Sequence, residues 1–182
     1  MQENNKGLIH LYCGEGKGKT TASIGLIVRA SGVGYKVVLV QFFKSWETGE
    51  INTLEKLPNV KIIREEKAHG FTWELNEDTQ ERLKATYEAM FFKALEALDE
   101  ALEEGGPVLL VMDEVIGATS YGYLTPDLLV NFLKNKPDNV EVVMTGRDPL
   151  PELLELADYI SNIDKVKHPF DRGILARKGI EY

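Results

Sequence analysis

Cysteine is nearly absent. Cys13 stands alone among 182 residues, which excludes an internal disulfide and a cysteine-rich zinc site. No apolar run approaches the roughly 20 residues of a membrane-spanning helix. Residues 1–6 are polar and lack the apolar core of a signal peptide. An excess of positive charge is missing too: the net charge of −8 is opposite to the basic footprint of a dedicated nucleic-acid binder. Repeats, low-complexity tracts and an interdomain linker are also lacking. The expectation is one domain over residues 1–182, in the cytoplasm, with neither nucleic acid nor membrane as partner.

What is present is ordinary globular material. Apolar residues make up 43% and charged residues 27%, enough to close a core and too apolar for disorder. Positive charge gathers locally near the end, where Lys165, Lys167, Arg172, Arg177 and Lys178 outnumber Asp164, Asp171 and Glu181.

Short apolar runs alternate with helix-like stretches. Strands are expected at residues 8–12, 37–43, 60–63, 108–112, 140–145 and 159–163. Their polarity is continuous rather than alternating, as in strands covered on both faces. Helices are expected at residues 19–31, roughly 49–57, 76–104, 126–135 and 151–157. In the longest, Leu83, Tyr87, Phe91, Ala94, Leu98 and Leu102 recur at steps of three or four and mark one buried stripe. Asn76 is a candidate N-cap, with Glu77 and Asp78 near the positive helix end, and Gly105-Gly106-Pro107 stops the helix. Strands separated by helices pair in parallel through right-handed crossovers. The fold class is therefore α/β, a mostly parallel sheet with helices on both faces.

Between the first strand and first helix stands Gly14-Glu15-Gly16-Lys17-Gly18-Lys19-Thr20-Thr21. Glycines let backbone amides turn towards a phosphate, and the helix start adds its positive dipole end. Lys19 supplies a cation to the phosphates from an accessible position, and the Thr20 hydroxyl can join a Mg²⁺ shell. Only Glu15, Gly16 and Lys17 separate Gly14 from Gly18, with Cys13 where the usual pattern has its first glycine. The loop is thus one residue short. A ligand-free strand-to-helix turn is the structural alternative.

A second apolar strand delivers Asp113-Glu114 at its carboxyl end, in the manner of a Walker B element that holds Mg²⁺ directly or through water. Glu114 could ligate the metal or act as a base for water. Either carboxylate could instead cap a helix or join an ion pair. Thr145-Gly146-Arg147 follows the fifth strand at the same sheet edge, where such sheets bind ligands. Arg147 there suits a phosphate contact or a structural ion pair equally well.

Taken with Val40-Gln41-Phe42, Gly70-Phe71-Thr72-Trp73 and the tail Lys167-His168-Pro169-Phe170-Asp171 … Gly179-Ile180-Glu181-Tyr182, these motifs resemble the P-loop-type ATP:corrinoid adenosyltransferases from Gly7 to Tyr182. The resemblance implies a P-loop NTPase (RecA-like) fold and transfer of the 5′-deoxyadenosyl group of ATP to the Co(I) of a reduced corrinoid, with release of triphosphate. It implies Gly14, Glu15, Gly16, Lys17, Gly18, Lys19, Thr20 and Thr21 as the ATP loop, with ATP held in reverse sense. Thr20 and Glu114 would hold Mg²⁺ (or Mn²⁺) beside Asp113, and Lys19 would offset charge on the leaving group. Phe71 and Trp73, which by themselves read as a small hydrophobic cluster, would press on the lower face of the corrin and leave cobalt four-coordinate. Cobalamin, cobinamide or cobyrinic acid diamide would be the acceptor and a reductase such as flavodoxin the electron donor, with a homodimer as the usual assembly.

His69 lacks the Asp-x-His-x-x-Gly setting of corrinoid-ligating histidines and reads as a hydrogen-bonding or solvent-facing residue. His168 reads as structural or as a dimer contact. An ATPase in which Glu114 activates water, and a nucleotide-binding module without chemistry, are the competing functions. The short loop and Phe71-Thr72-Trp73 favour the transferase.

Overall fold

A computed structural model describes residues 6–65 and 77–182. Six strands, β1 (Ile9–Cys13), β2 (Lys36–Gln41), β3 (Val60–Arg64), β4 (Val108–Asp113), β5 (Val140–Thr145) and β6 (Tyr159–Asn162), form one sheet in the order β3-β2-β4-β5-β1-β6. Every pairing is parallel. All carboxyl ends therefore lie along one edge.

Helices cover both faces because the central strands carry apolar side chains on both. Val38, Val40, Leu110, Met112, Val142 and Met144 face one core, packed by α3 (Glu77–Glu103), α4 (Val115–Ser120), α5 (Pro126–Asn135) and α6 (Pro151–Leu156). Val37, Leu39, Leu109, Val111 and Val143 face the other, packed by α1 (Lys19–Gly32) and α2 (Ile51–Leu54). All six residues of β4 are buried. That makes it the most deeply enclosed strand and fixes the height at which Asp113 emerges.

The α3 stripe packs as its spacing predicts: Leu83, Tyr87, Phe91, Ala94 and Leu98 are buried and Leu102 is partly so. Its proposed cap, Asn76, lies outside the described residues. Three expectations are corrected. The strand expected through Phe43 ends at Gln41, because Phe43 turns into the left-handed region (φ 56°) with its N–H donating to the Tyr87 hydroxyl at 3.2 Å. β6 is exposed at all four positions rather than covered on both faces, since it flanks β1 at the open edge of the sheet. Finally, α4 follows Glu114 directly where no helix is expected, and a 3₁₀ turn occupies Pro169–Arg172.

Candidate nucleotide and metal site

Tight backbone packing shapes the loop. Gly14 (φ 96°) sits so close to the chain after β6 that a Cβ would meet Asn162 Oδ1 at 2.5 Å and Ile163 O at 2.7 Å. A Cβ on Gly16 would meet Ile163 O and Asp164 O, each at 2.6 Å. The Gly16 amide donates to Ile163 O (2.6 Å) and the Gly14 amide to Arg147 O (3.3 Å). These contacts fix the loop from outside, leaving the first amides of α1 without intrahelical partners at its mouth. Gly18 (φ 124°) stands at the cap position without a side-chain cap.

Lys19 is the first residue of α1 and is 8% exposed, in contrast to the accessibility expected of it. Its ammonium folds back over the loop and donates to Gly14 O (2.6 Å) and Gly16 O (2.9 Å). Two carbonyls at hydrogen-bond distance hold a desolvated cation there. The lysine therefore braces the same turn that it would serve as a phosphate ligand.

Asp113 is the centre of the site, fully buried at the end of β4. The register sets Gln41 opposite it on β2, and on the other side β5 lies between β4 and the loop strand β1. Oδ1 accepts from Thr20 Oγ1 (2.9 Å) and Thr145 Oγ1 (2.7 Å). Oδ2 accepts from Gln41 Nε2 (3.0 Å) and Lys44 Nζ (2.6 Å). Four donors, one of them the Lys44 cation, compensate the burial of its charge.

Glu114 is a non-glycine residue in the left-handed region (φ 62°), a conformation that costs about 1 kcal/mol or more unless the surroundings enforce it. Its N–H donates to Thr145 Oγ1 (2.8 Å), so Thr145 fixes both acidic residues. Glu114 takes the N-cap position of α4 but makes no side-chain cap bond. Burial raises its pKa and the Asp113 charge raises it further, against the lowering effects of Lys44, Lys19 and Arg147.

A cavity of about 250 Å³ brings together Glu15, Gly16, Lys17, Gly18, Lys19, Thr20, Thr21, Glu114, Arg147 and the tail residues His168, Ile180 and Glu181. A second, of about 670 Å³, adjoins it at Thr20 and Thr21 and runs past Lys44, Trp46 and Glu50 to Tyr182. Arg147 pairs with Glu15 across the mouth at 2.9 Å, with both side chains exposed. His168 Nδ1 accepts from the Phe170 N–H (3.2 Å) and caps the 3₁₀ turn. Phe71, Trp73 and His69 lie outside the described residues. Lys44, and the parts played by Gln41 and Thr145 around Asp113, go beyond the sequence reading. The available signal was position, since Gln41 and Thr145 end strands and Lys44 follows β2.

The donor set suits a hard divalent cation: one hydroxyl and two carboxylates, all oxygen, with room for phosphate and water ligands. The Gln41 Oε1 atom, buried beside Asp113 without a partner, offers a further acceptor for a metal-bound water.

Strand, glycine loop, helix and a second strand ending in a buried aspartate define a P-loop nucleotide-binding protein. Two solved structures share the fold. One is the cytoplasmic domain of the type VII secretion ATPase EccC of Thermomonospora curvata, with TM-score 0.54 at 15% identity over 88% of this chain. The other is ATPases 2 and 3 of EccC from the same organism, with TM-score 0.53 at 16% identity over 90%. The chain spans 21% and 32% of those longer proteins, and the likeness is one of fold alone.

Sequence carries the particulars. Residues 5–182 match the family model ATP:corrinoid adenosyltransferase BtuR/CobO/CobP. The corrinoid adenosyltransferase of Escherichia coli K12 is 38% identical over 99% of this chain and 88% of that protein. Corrinoid adenosyltransferase CobA of Salmonella typhimurium LT2 is 36% identical with the same coverage. The chain belongs to the ATP:corrinoid adenosyltransferase family, enzymes that transfer an adenosyl group to corrinoids. Among the described residues no helix is long and apolar enough to cross a membrane.

Proposed function

We propose that the chain transfers the 5′-deoxyadenosyl group of ATP to the Co(I) of a reduced corrinoid, releasing intact triphosphate, in the synthesis or salvage of adenosylcobalamin. The observation that carries this reading is the 2.9 Å bond between Thr20 and Asp113 directly beneath the shortened loop, in a chain of this family. The cobalt electron pair attacks C5′, the C5′–O5′ bond breaks, and its electrons stay on the departing triphosphate. No proton moves. A protein nucleophile is therefore unnecessary.

The chain's tasks are alignment and stabilisation of the leaving charge. The loop amides and the start of α1 cradle phosphate, and Lys19 exchanges its two carbonyl partners for phosphate oxygens. Thr20, Asp113 and Glu114 hold Mg²⁺ or Mn²⁺, which when bound neutralises part of the triphosphate charge. Thr145 and Gln41 orient Asp113. Phe71 and Trp73 keep the lower face of the corrin free of a ligand. A reductase such as flavodoxin supplies the electron, and the enzyme works as a cytoplasmic homodimer.

Anaerobic incubation with ATP, Mg²⁺ and chemically generated cob(I)alamin tests the reading. The expected result is a light-sensitive alkylcobalamin spectrum that appears only with ATP. ATP consumption at the same rate without any corrinoid would replace the reading with a hydrolase.

A further inference from the structure

Lys44 follows the turn after β2, its side chain 15% exposed, with its ammonium 2.6 Å from Asp113 Oδ2 and 3.0 Å from Thr20 Oγ1. These are two of the three groups that hold the metal in the reading above, on which this inference rests. The Thr20 hydroxyl directs its proton to Asp113 and receives Lys44 on a lone pair. A metal ion would need a Thr20 lone pair, and a metal-bound water would need Oδ2. The ammonium engages both atoms. A lysine cation and a divalent cation, each desolvated and within a few ångströms of one another, repel strongly. They cannot share this place.

Lys44 also has somewhere to go. Lys44 lines the cavity of about 670 Å³ that adjoins the loop, and two acidic residues line it too: Glu50, and Glu181, whose carboxylate pairs with Arg177. Rotation of a flexible four-carbon stem is enough to move the charge out of the seat.

We propose that Lys44 is a built-in counter-cation of the metal seat: it neutralises Asp113 when no metal is there and is exchanged for the divalent ion that arrives with ATP. Free divalent cations then bind weakly, and metal entry is coupled to the nucleotide, whose phosphates compensate both the ion and the released lysine. Neither the loop motif nor the acidic pair explains a lysine in this place.

Mn²⁺ titration of the nucleotide-free protein, followed by electron paramagnetic resonance, tests the exchange without reference to turnover. Lys44→Met is expected to bind Mn²⁺ at least about tenfold more tightly than the parent, since a competing charge at contact distance is gone. In the parent protein, acylation of Lys44 by an amine reagent, read by mass spectrometry, should rise several-fold when Mn²⁺ and ATP are added. Unchanged or weaker Mn²⁺ binding by a folded Lys44→Met overturns the proposal. Should that variant fail to fold, labelling of the parent decides, and no rise on adding Mn²⁺ and ATP overturns it equally. Asp113→Asn separates the two layers. Loss of Mn·ATP binding in Asp113→Asn, with no effect of Lys44→Met, rejects the lysine exchange alone, whereas undiminished Mn·ATP binding in Asp113→Asn rejects the metal seat itself and the exchange with it.

Discussion

On its inner side the phosphate loop meets Thr20, Asp113 and Thr145, held by the ends of β4 and β5 and by the start of α1. Its outer side carries the exposed Glu15 and Lys17, with Glu15 joined to the exposed Arg147 by a surface ion pair. The inner groups are positioned by a sheet buried on both faces, so small displacements there disturb close packing. The outer groups are positioned by long side chains in water, where such a pair contributes at most about 1 kcal/mol. Alignment of the leaving group should therefore depend on the inner side and substrate capture on the outer. Substitutions that reversed this order would break the comparison.

The largest effect is expected from Lys19→Ala. Removing a cation aimed at developing charge typically costs about 10²–10³ in rate. The variant also leaves the Gly14 and Gly16 carbonyls without their donor, a loss of about 1–3 kcal/mol that should not unfold the protein. Anaerobic kinetics and a circular-dichroism melt measure the two quantities, and near-parental turnover in the folded variant would refute the assignment. Next comes the double change of Phe71 and Trp73 to alanine. Lost apolar packing of a few kcal/mol translates to a hundredfold or so in rate. That loss should appear with Co(II) and a reductase but shrink severalfold with preformed Co(I). Equal losses in both assays would assign these aromatics to shaping the pocket.

Glu114→Gln sharpens the comparison on the inner side. Burial and the Asp113 charge raise the folded-state pKa of Glu114 above its unfolded value. The folded protein thus holds this proton to higher pH than the unfolded chain, and stability falls as pH rises from the ordinary carboxylate range through the raised pKa. The glutamine variant removes that loss. In nucleotide-free protein it should melt higher than the parent at neutral pH and no higher well below the carboxylate range, while binding Mg·ATP more weakly. A lower melting temperature at neutral pH would contradict the reading. The smallest effect is expected for Arg147→Ala: a stability change within about 1 kcal/mol and a rise in KM for ATP of a few fold with kcat little altered. A large fall in kcat would move Arg147 to the inner side.

The parallel sheet, the loop and the buried strand ending in Asp113 were legible because each is written in contiguous residues. What surrounds Asp113 was not. Gln41, Lys44 and Thr145 meet there only because β2 and β5 flank β4, and strand order leaves no local pattern. Helix α4 escaped because six residues, Val-Ile-Gly-Ala-Thr-Ser, are too few to display a helical period and include poor helix formers. The apolar run at β6 suggested a covered strand, yet apolar composition does not say whether a neighbour exists on the far side. Burial of Lys19 depends on the curl of the loop, which brings two carbonyls within reach of the lysine that follows them.

Phosphorus NMR of a reaction run to completion with ATP and cob(I)alamin tests the central claim most directly. A nucleophilic cobalt at C5′ leaves all three phosphates joined, so the account predicts one inorganic triphosphate for each adenosylated corrinoid. ADP and orthophosphate in that proportion would mean that water attacks the terminal phosphate, and would contradict it.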